Sequence, residues 1–436
     1  MNPIYFWIVC ALLLCGACDD SEKKADDAST DDSSSETDTN SDSDTGVDTD
    51  TDTNPDITDA MLERSLLSVG NNYRMKALLA KAAAGEEVTL AYIGGSITQG
   101  YTATADESYV FGSAELFKQR FAPGDGSNVH VVNAGMGGTP STLGMLRYQR
   151  DVLDQSPTPP DLVVVEFAVN DGDDPTNGEA YESLVRKILQ SENHPAVILL
   201  FSVFRSHWNL EDRLAPVGEH YNLPMISIKE AVVPELDAGT FTHDEFFRDE
   251  YHPNEWGFRV MSEIIDYYFA TVAEAAADNA DITIPDTAAI GIQFTDIQPV
   301  VPSTPTAAGT LEIDPGSFID VDAVLPSIEW KNEKYFTENW QKKTDDTNTP
   351  FTLTTTCKNL VVSYKKSSLN SFGTAEFYVD GTLVESVPGY TSDGWNNPWT
   401  MVLLDEDVSA EHTLQVQMAE GSETDNFTLL IFGYTP

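Results

Sequence analysis

Ser96 follows the apolar run Val88 to Ile93, inside Gly94-Gly95-Ser96-Ile97-Thr98-Gln99-Gly100. A β-branched run leading into glycines reads as a buried strand that closes in a tight turn. A serine placed there can hold its hydroxyl above a sheet, where a base can take its proton. Thr98 stands where a G-x-S-x-G elbow would carry its second glycine, so that particular elbow is excluded. The same small residues also suit a purely structural strand–helix turn.

A serine nucleophile needs a base, a group that orients the base, and donors for the developing oxyanion. Among the histidines, His252 has the most suggestive surroundings, Asp249-Glu250-Tyr251-His252-Pro253-Asn254, just before a helical pattern that starts near Trp256. Asp-x-x-His spacing lets one loop present both side chains, so the carboxylate can hold the imidazole in the right tautomer. His243-Asp244 competes but lacks the Pro-Asn stop before a helix. Donors are offered by Asn133-Ala134-Gly135-Met136-Gly137-Gly138, where glycines follow a strand, and by Asn170-Asp171 at the end of another. Asn170 and Asp171 would equally serve as a turn or helix cap.

These residues need strand ends to carry them. Apolar runs at Val88–Ile93, Val129–Val132, Leu162–Phe167 and Ala196–Val203, with a weaker one at Met225–Ile228, read as buried strands. Helical patterns fall at Met61–Ala84, Val110–Phe121, Gly144–Leu153, Glu179–Ser191 and Trp256–Ala276, with Gly70 a possible break in the first. Alternating strands and helices predict a parallel sheet covered on both faces, spanning about residues 58–283. In such a sheet ligands bind at the carboxyl ends of the strands, where the candidate residues lie. Beyond Pro285, short alternating segments predominate: Leu353–Thr356, Leu360–Tyr364, Ala375–Val379, Thr400–Leu404, Thr413–Met418 and Phe427–Phe432. Asp380-Gly381 between two of them is a hairpin signal. Residues 284–436 are therefore expected to form a β-sandwich.

In chain order, Gly95-Ser96, Asn133-Ala134-Gly135, Val169-Asn170-Asp171 and Asp249-x-x-His252-Pro253 resemble the four blocks of the SGNH (GDSL-type) hydrolases. The resemblance covers roughly residues 58–275. It implies a flavodoxin-like three-layer α/β/α fold and ester hydrolysis without metal or other cofactor. It makes Ser96 the nucleophile, His252 the base and Asp249 its orienting acid. The oxyanion hole would comprise the N–H of Ser96, the N–H of Gly135 and the Asn170 amide. Gly95 in place of the usual Asp, and Ala168 in place of Gly, point to a Gly-Gly-Ser-Ile-Thr subgroup similar to bacterial carbohydrate esterases.

The rest of the composition bears on setting and partners. The chain has 436 residues, a net charge of −47 and four cysteines. That charge argues against nucleic acid or anionic lipid headgroups as partners. Met1 to Ala17 is apolar from Tyr5 to Leu14 and too short for a comfortable membrane span, as in an export signal. Leu14-Cys15-Gly16-Ala17-Cys18 resembles a bacterial lipobox, which would place a lipid on Cys18 and leave an exported lipoprotein of the cell envelope. Ordinary cleavage near Ala17 is the alternative. Residues 19–57, with Asp48-Thr-Asp-Thr-Asp-Thr53, are too polar and self-repelling to fold and read as a solvated tether. Cys357 alone remains beyond this segment, so no disulfide framework is available there. Export, the subgroup and the second domain together suggest an acetylated polysaccharide as substrate. Trp208 and Trp256 are expected near the site, while Trp330, Trp340, Tyr390, Trp395 and Trp399 could stack on sugar or pack in the sandwich. A lysophospholipase or thioesterase, and a non-catalytic glycan-binding lipoprotein, are the competing readings.

Overall fold

The computed structural model describes residues 54–305, 311–328, 333–344 and 347–436. The lipobox with Cys18, the tether up to Thr53 and Trp330 lie outside the described residues. Residues 55–436 form one compact unit.

Its first half is built on a sheet of β1 (Leu66–Ser68), β2 (Val88–Gly94), β3 (Val129–Gly135), β4 (Leu162–Glu166), β5 (Ala196–Phe201) and β6 (Met225–Ser227). The spatial order is β1-β6-β5-β4-β2-β3. β2 to β6 run parallel, and β1 adds an antiparallel edge on β6. The parallel strands follow the flavodoxin-like order, reversing direction at β2 between β3 and β4. Leu90 and Tyr92 pack on one side with Leu78, Phe117 and Phe269, whereas Ala91 and Ile93 pack on the other with Leu143, Leu146 and Leu184. Burial on both faces explains why β2, β4 and β5 read as unbroken apolar runs.

The expected helix over Met61–Ala84 is instead a helix at Asp59–Ser65, strand β1 and a helix at Tyr73–Ala83. Leu66 and Leu67 keep helical spacing, but backbone pairing with β6 at the sheet edge takes the segment. Helices Glu211–Tyr221 and Ile228–Ala238 carry no clear signal because each contains a proline, Pro216 or Pro234. Burial of Leu214, Val217 and Tyr221 in one, and of Ala231, Val232 and Leu236 in the other, outweighs the lost backbone bond.

The second half is antiparallel: β7 (Gln298–Val300), β8 (Leu311–Asp314), β9 (Ser327–Ile328), β10 (Glu333–Lys334), β11 (Trp340–Lys342), β12 (Phe351–Ser367), β13 (Thr374–Val379), β14 (Thr382–Pro388), β15 (Trp395–Met418) and β16 (Phe427–Thr435). The main order is β11-β16-β12-β15-β13-β14, with β7 on β16 and β8 on β12, while β9 and β10 pair apart. The expected pairs Leu353–Thr356 with Leu360–Tyr364, and Thr400–Leu404 with Thr413–Met418, each prove to be one long strand, interrupted in register near Cys357–Asn359. Asp380 and Gly381 make the expected hairpin, both at positive φ.

The two halves share a core. Val361, Leu430, Ile431, Tyr335 and Phe336 lie in the same buried cluster as Ile93, Leu143 and Leu146. Their neighbours Leu360, Val362 and Leu429 face the second sheet's own core. Alternation along β12 and β16 thus gives one face to each half.

Candidate active site

The turns after β2, β3 and β4 meet at the carboxyl edge where the strand order reverses, the place where open α/β sheets bind ligands. β2 ends at Gly94, and the four-residue helix Ser96–Gln99 starts at once. Ser96 Oγ lies 2.9 Å from His252 Nε2. On the other side of the imidazole, Nδ1 is 2.9 and 3.0 Å from the two carboxylate oxygens of Asp249. The carboxylate also accepts the backbone N–H groups of Tyr251 and His252. Burial pushes the Asp249 carboxyl up, but the bonds from His252 and those N–H groups outweigh it and hold it below the usual range. Asp249 therefore stays an anion beside the imidazole.

The loop that carries this pair is tightly tied. Phe247 bridges Pro253, Arg248 N–H donates to the His252 carbonyl, and Asn254 caps the helix Glu255–Glu274 through Gly257 N–H. Tyr101 lies against the His252 ring at 4.7 Å between centroids. The His252 side chain is only 12% exposed and that of Asp249 41%. His243 is turned elsewhere, its Nε2 3.0 Å from His207 Nε2.

Asn170 and the glycine turn after β3 lie beside the turn that carries the serine. A Cβ on Gly95 would lie 1.9 Å from Asn170 Oδ1, so the absence of a side chain at Gly95 is what lets the Asn170 amide come this close to the Ser96 turn. Asn170 Oδ1 is buried without a donor. Asp171 does the capping instead, accepting the Ser141 N–H at the start of helix Ser141–Tyr148.

Gly135 does not fit its expected place. Its N–H donates to its own strand neighbour's side chain, Asn133 Oδ1, at 2.9 Å, and is not free for an oxyanion. Asn133 reaches on to the Thr98 carbonyl and so locks the end of β3 to the helix Ser96–Gln99. Two residues on, Gly137 N–H is taken by Gln99 Oε1, and a Cβ at Gly137 would sit 3.6 Å from Ser96 Cβ. Gly138, at φ +65°, has no acceptor for its N–H among the described residues.

The tryptophans divide differently from the expectation. Trp256 is 4% exposed and packs edge-on against Phe241 and Phe246 in the core, because the first turn of its helix faces inward. It cannot meet substrate. Trp208 stacks on Phe204 and lies over Gly172, beside the Asn170 turn. Trp395, from the start of β15, sets the edge of its indole on Gly138 while remaining 40% exposed. Lys366 covers the Trp399 ring at 3.2 Å, and Trp340 is buried against Phe351 and Phe432.

A second set of residues carried no sequence signal of a role. Glu166, the last residue of β4, accepts the Thr98 hydroxyl at 2.9 Å beneath the Ser96 turn. Burial pushes its carboxyl up to about 7, against the pull of the Thr98 bond. Arg147, fully buried, donates to the carbonyls of Ala134 and Gly94 at 2.5 and 2.9 Å. A lone cation inside the apolar helix Ser141–Tyr148 is the one mark that could have drawn attention to it.

Residues 92–260 match the family of GDSL-like lipases and acylhydrolases. This segment is a GDSL-like lipase/acylhydrolase domain. The whole described unit is similar to a solved two-domain esterase active on acetylated mannans, with 26% identity over 86% of this chain and 99% of that one, at a TM-score of 0.72. The same esterase co-crystallised with mannopentaose gives 26% identity, 86% and 98% coverage, and a TM-score of 0.69. No curated protein matches the chain. The GDSL-like domain thus has the α/β fold that its sequence blocks imply and is followed by an antiparallel domain; the similar esterase likewise has two domains.

Proposed function

We propose that this chain is a serine esterase that removes small acyl groups, acetyl foremost, from carbohydrate through an acyl-enzyme. The observation that carries this reading is the unbroken line from Ser96 Oγ through His252 to Asp249. His252 takes the Ser96 proton as Oγ attacks the ester carbonyl. The resulting oxyanion is met by the N–H of Ser96, the Asn170 amide and, since the Gly135 N–H is taken, the unpaired N–H of Gly138 in the turn whose Gly137 lies beside Ser96. Collapse breaks the bond to the sugar oxygen, which leaves with the proton from His252. Water then attacks the acyl-enzyme with His252 again as base, freeing acetate and Ser96.

The substrate class rests on two supports. The similar two-domain protein is an esterase active on acetylated mannans. In this chain Trp208 and Trp395 flank the turns that bear Asn170 and Gly138, which suits apolar sugar faces. Release of acetate from acetylated mannan and xylan, set beside a chain-length series of nitrophenyl esters, tests the proposal. Acetate release and a preference for the acetyl ester are expected, with Ser96→Ala inactive. A preference for long acyl chains would favour a lysophospholipase or thioesterase, and activity surviving in Ser96→Ala would end the mechanism.

The setting proposed is the cell envelope, with the folded unit tethered through lipidated Cys18, on the strength of the lipobox-like sequence alone. Cys18→Ala in the expressing cell should move the protein from the membrane to the soluble fraction. An unchanged distribution would remove the anchor.

A further inference from the structure

We infer that Tyr335, a residue of the C-terminal half, is a positioning residue for the oxyanion-binding turn. The inference rests on the esterase reading above and extends it to the second domain. Tyr335 donates its hydroxyl to the Gly135 carbonyl at 2.6 Å, with both groups buried. Gly135 is the last residue of β3, and the turn it opens brings Gly137 beside Ser96 and carries Gly138.

β3 is an edge strand, so its outward backbone groups lack a ladder partner. Tyr335 supplies one at the position where the strand gives way to the turn. On the neighbouring carbonyls the work is done from within the α/β half: Arg147 holds Ala134 and Gly94. The last carbonyls of β2 and β3 are thus each fixed by a side-chain donor, two by Arg147 and one by Tyr335. Gly94 leads directly into Gly95 and Ser96, and Gly135 into the turn that carries the free Gly138 N–H. A shift at either end alters the distance between nucleophile and oxyanion donor.

The tyrosine is itself delivered rigidly. It lies in the turn between β10 and β11, next to Phe336, whose ring lies 4.5 Å beneath the Arg150 guanidinium. Both aromatic residues belong to the core cluster shared by the two halves. Burial raises the pKa of the Tyr335 phenol, so it keeps its proton and remains a donor throughout the neutral range.

Loss of the hydroxyl should leave substrate binding alone and loosen a contact that matters at the oxyanion. In Tyr335→Phe, kcat on p-nitrophenyl acetate is expected to fall about ten-fold or more with KM within about two-fold, because small misplacements of catalytic groups cost up to ~10² in rate. Phe336→Leu disturbs the same interdomain packing but keeps the hydroxyl, and should retain the parent kcat. A parent-like kcat in Tyr335→Phe overturns the inference. So does a kcat that falls in both variants in step with their melting temperatures, or a Tyr335→Phe chain that no longer folds, since either makes the contact structural. Ser96→Ala is run beside them. Residual activity there topples the esterase reading itself, whereas an inactive Ser96→Ala with a silent Tyr335→Phe topples only the positioning role.

Discussion

At the scale of single residues, the site depends on which polar atoms are left unpaired. Asn133 consumes the Gly135 N–H and thereby fixes the strand end, so the proposed oxyanion hole draws on other donors. Asn170→Ala should therefore lower kcat on an acetyl ester by about 10²–10³-fold, the usual cost of one lost oxyanion donor. Steady-state kinetics of the purified variant check this, and an unaltered kcat would remove Asn170 from the hole. Glu166 gives a pH signature. Folded, it keeps its proton to about pH 7, whereas the ordinary value is 4.5. Between these values the folded chain binds more protons than the unfolded one, so the Glu166 contribution to stability falls as pH rises and is level above 7. Glu166→Gln avoids that loss. Its melting temperature relative to the parent should be lowest at about pH 4, climb towards pH 7 and then stay constant; a difference independent of pH would contradict the assignment.

At the scale of elements, helix Ser141–Tyr148 is the piece that joins the catalytic sheet to the second one. Its Leu146 is buried in the shared cluster and presses on β16, where a Cβ at Gly433 would lie 2.2 Å from Leu146 Cδ2. Its next residue, Arg147, holds the ends of β2 and β3. Leu146→Ala should destabilise the chain by about 2–5 kcal/mol, the range for a buried leucine truncation. Chemical denaturation measures it, and a loss under about 0.5 kcal/mol would mean that the helix–β16 contact is not a packed core. Much at this scale was legible from sequence. Strands buried on both faces announce themselves as apolar runs, and Asp380-Gly381 announces its hairpin. Helices Glu211–Tyr221 and Ile228–Ala238 did not, since their prolines cancel the local signal and tertiary burial restores the element.

At the scale of the molecule, the second domain closes on the active-site edge with Trp395 above Gly138 and Tyr335 behind Gly135. The two contacts predict different kinetics. Trp395 stands at the surface, so Trp395→Ala should raise KM for acetylated mannan several-fold while leaving kcat on p-nitrophenyl acetate unaltered. Equal effects on both substrates would show that the indole shapes the turn and does not meet sugar.

By itself the sequence determined the chemistry on offer. Ser96 in its glycine turn, Asp249 three residues before His252, and Asn170 after an apolar strand are local patterns, set by turn geometry and side-chain type. Periodicity likewise determined a covered parallel sheet and an antiparallel second half. Only the tertiary structure decided which of these groups meet. Ser96 and His252 are 156 residues apart in the chain yet share a hydrogen bond. Trp256 turned inward and Trp395 came to the site, although both are tryptophans in plausible surroundings. Gly135 lost its expected role to a side chain two residues away. Periodicity tells a residue that it is buried, but not against what. That partner is chosen by the packing of distant elements, and here the packing of one domain on another.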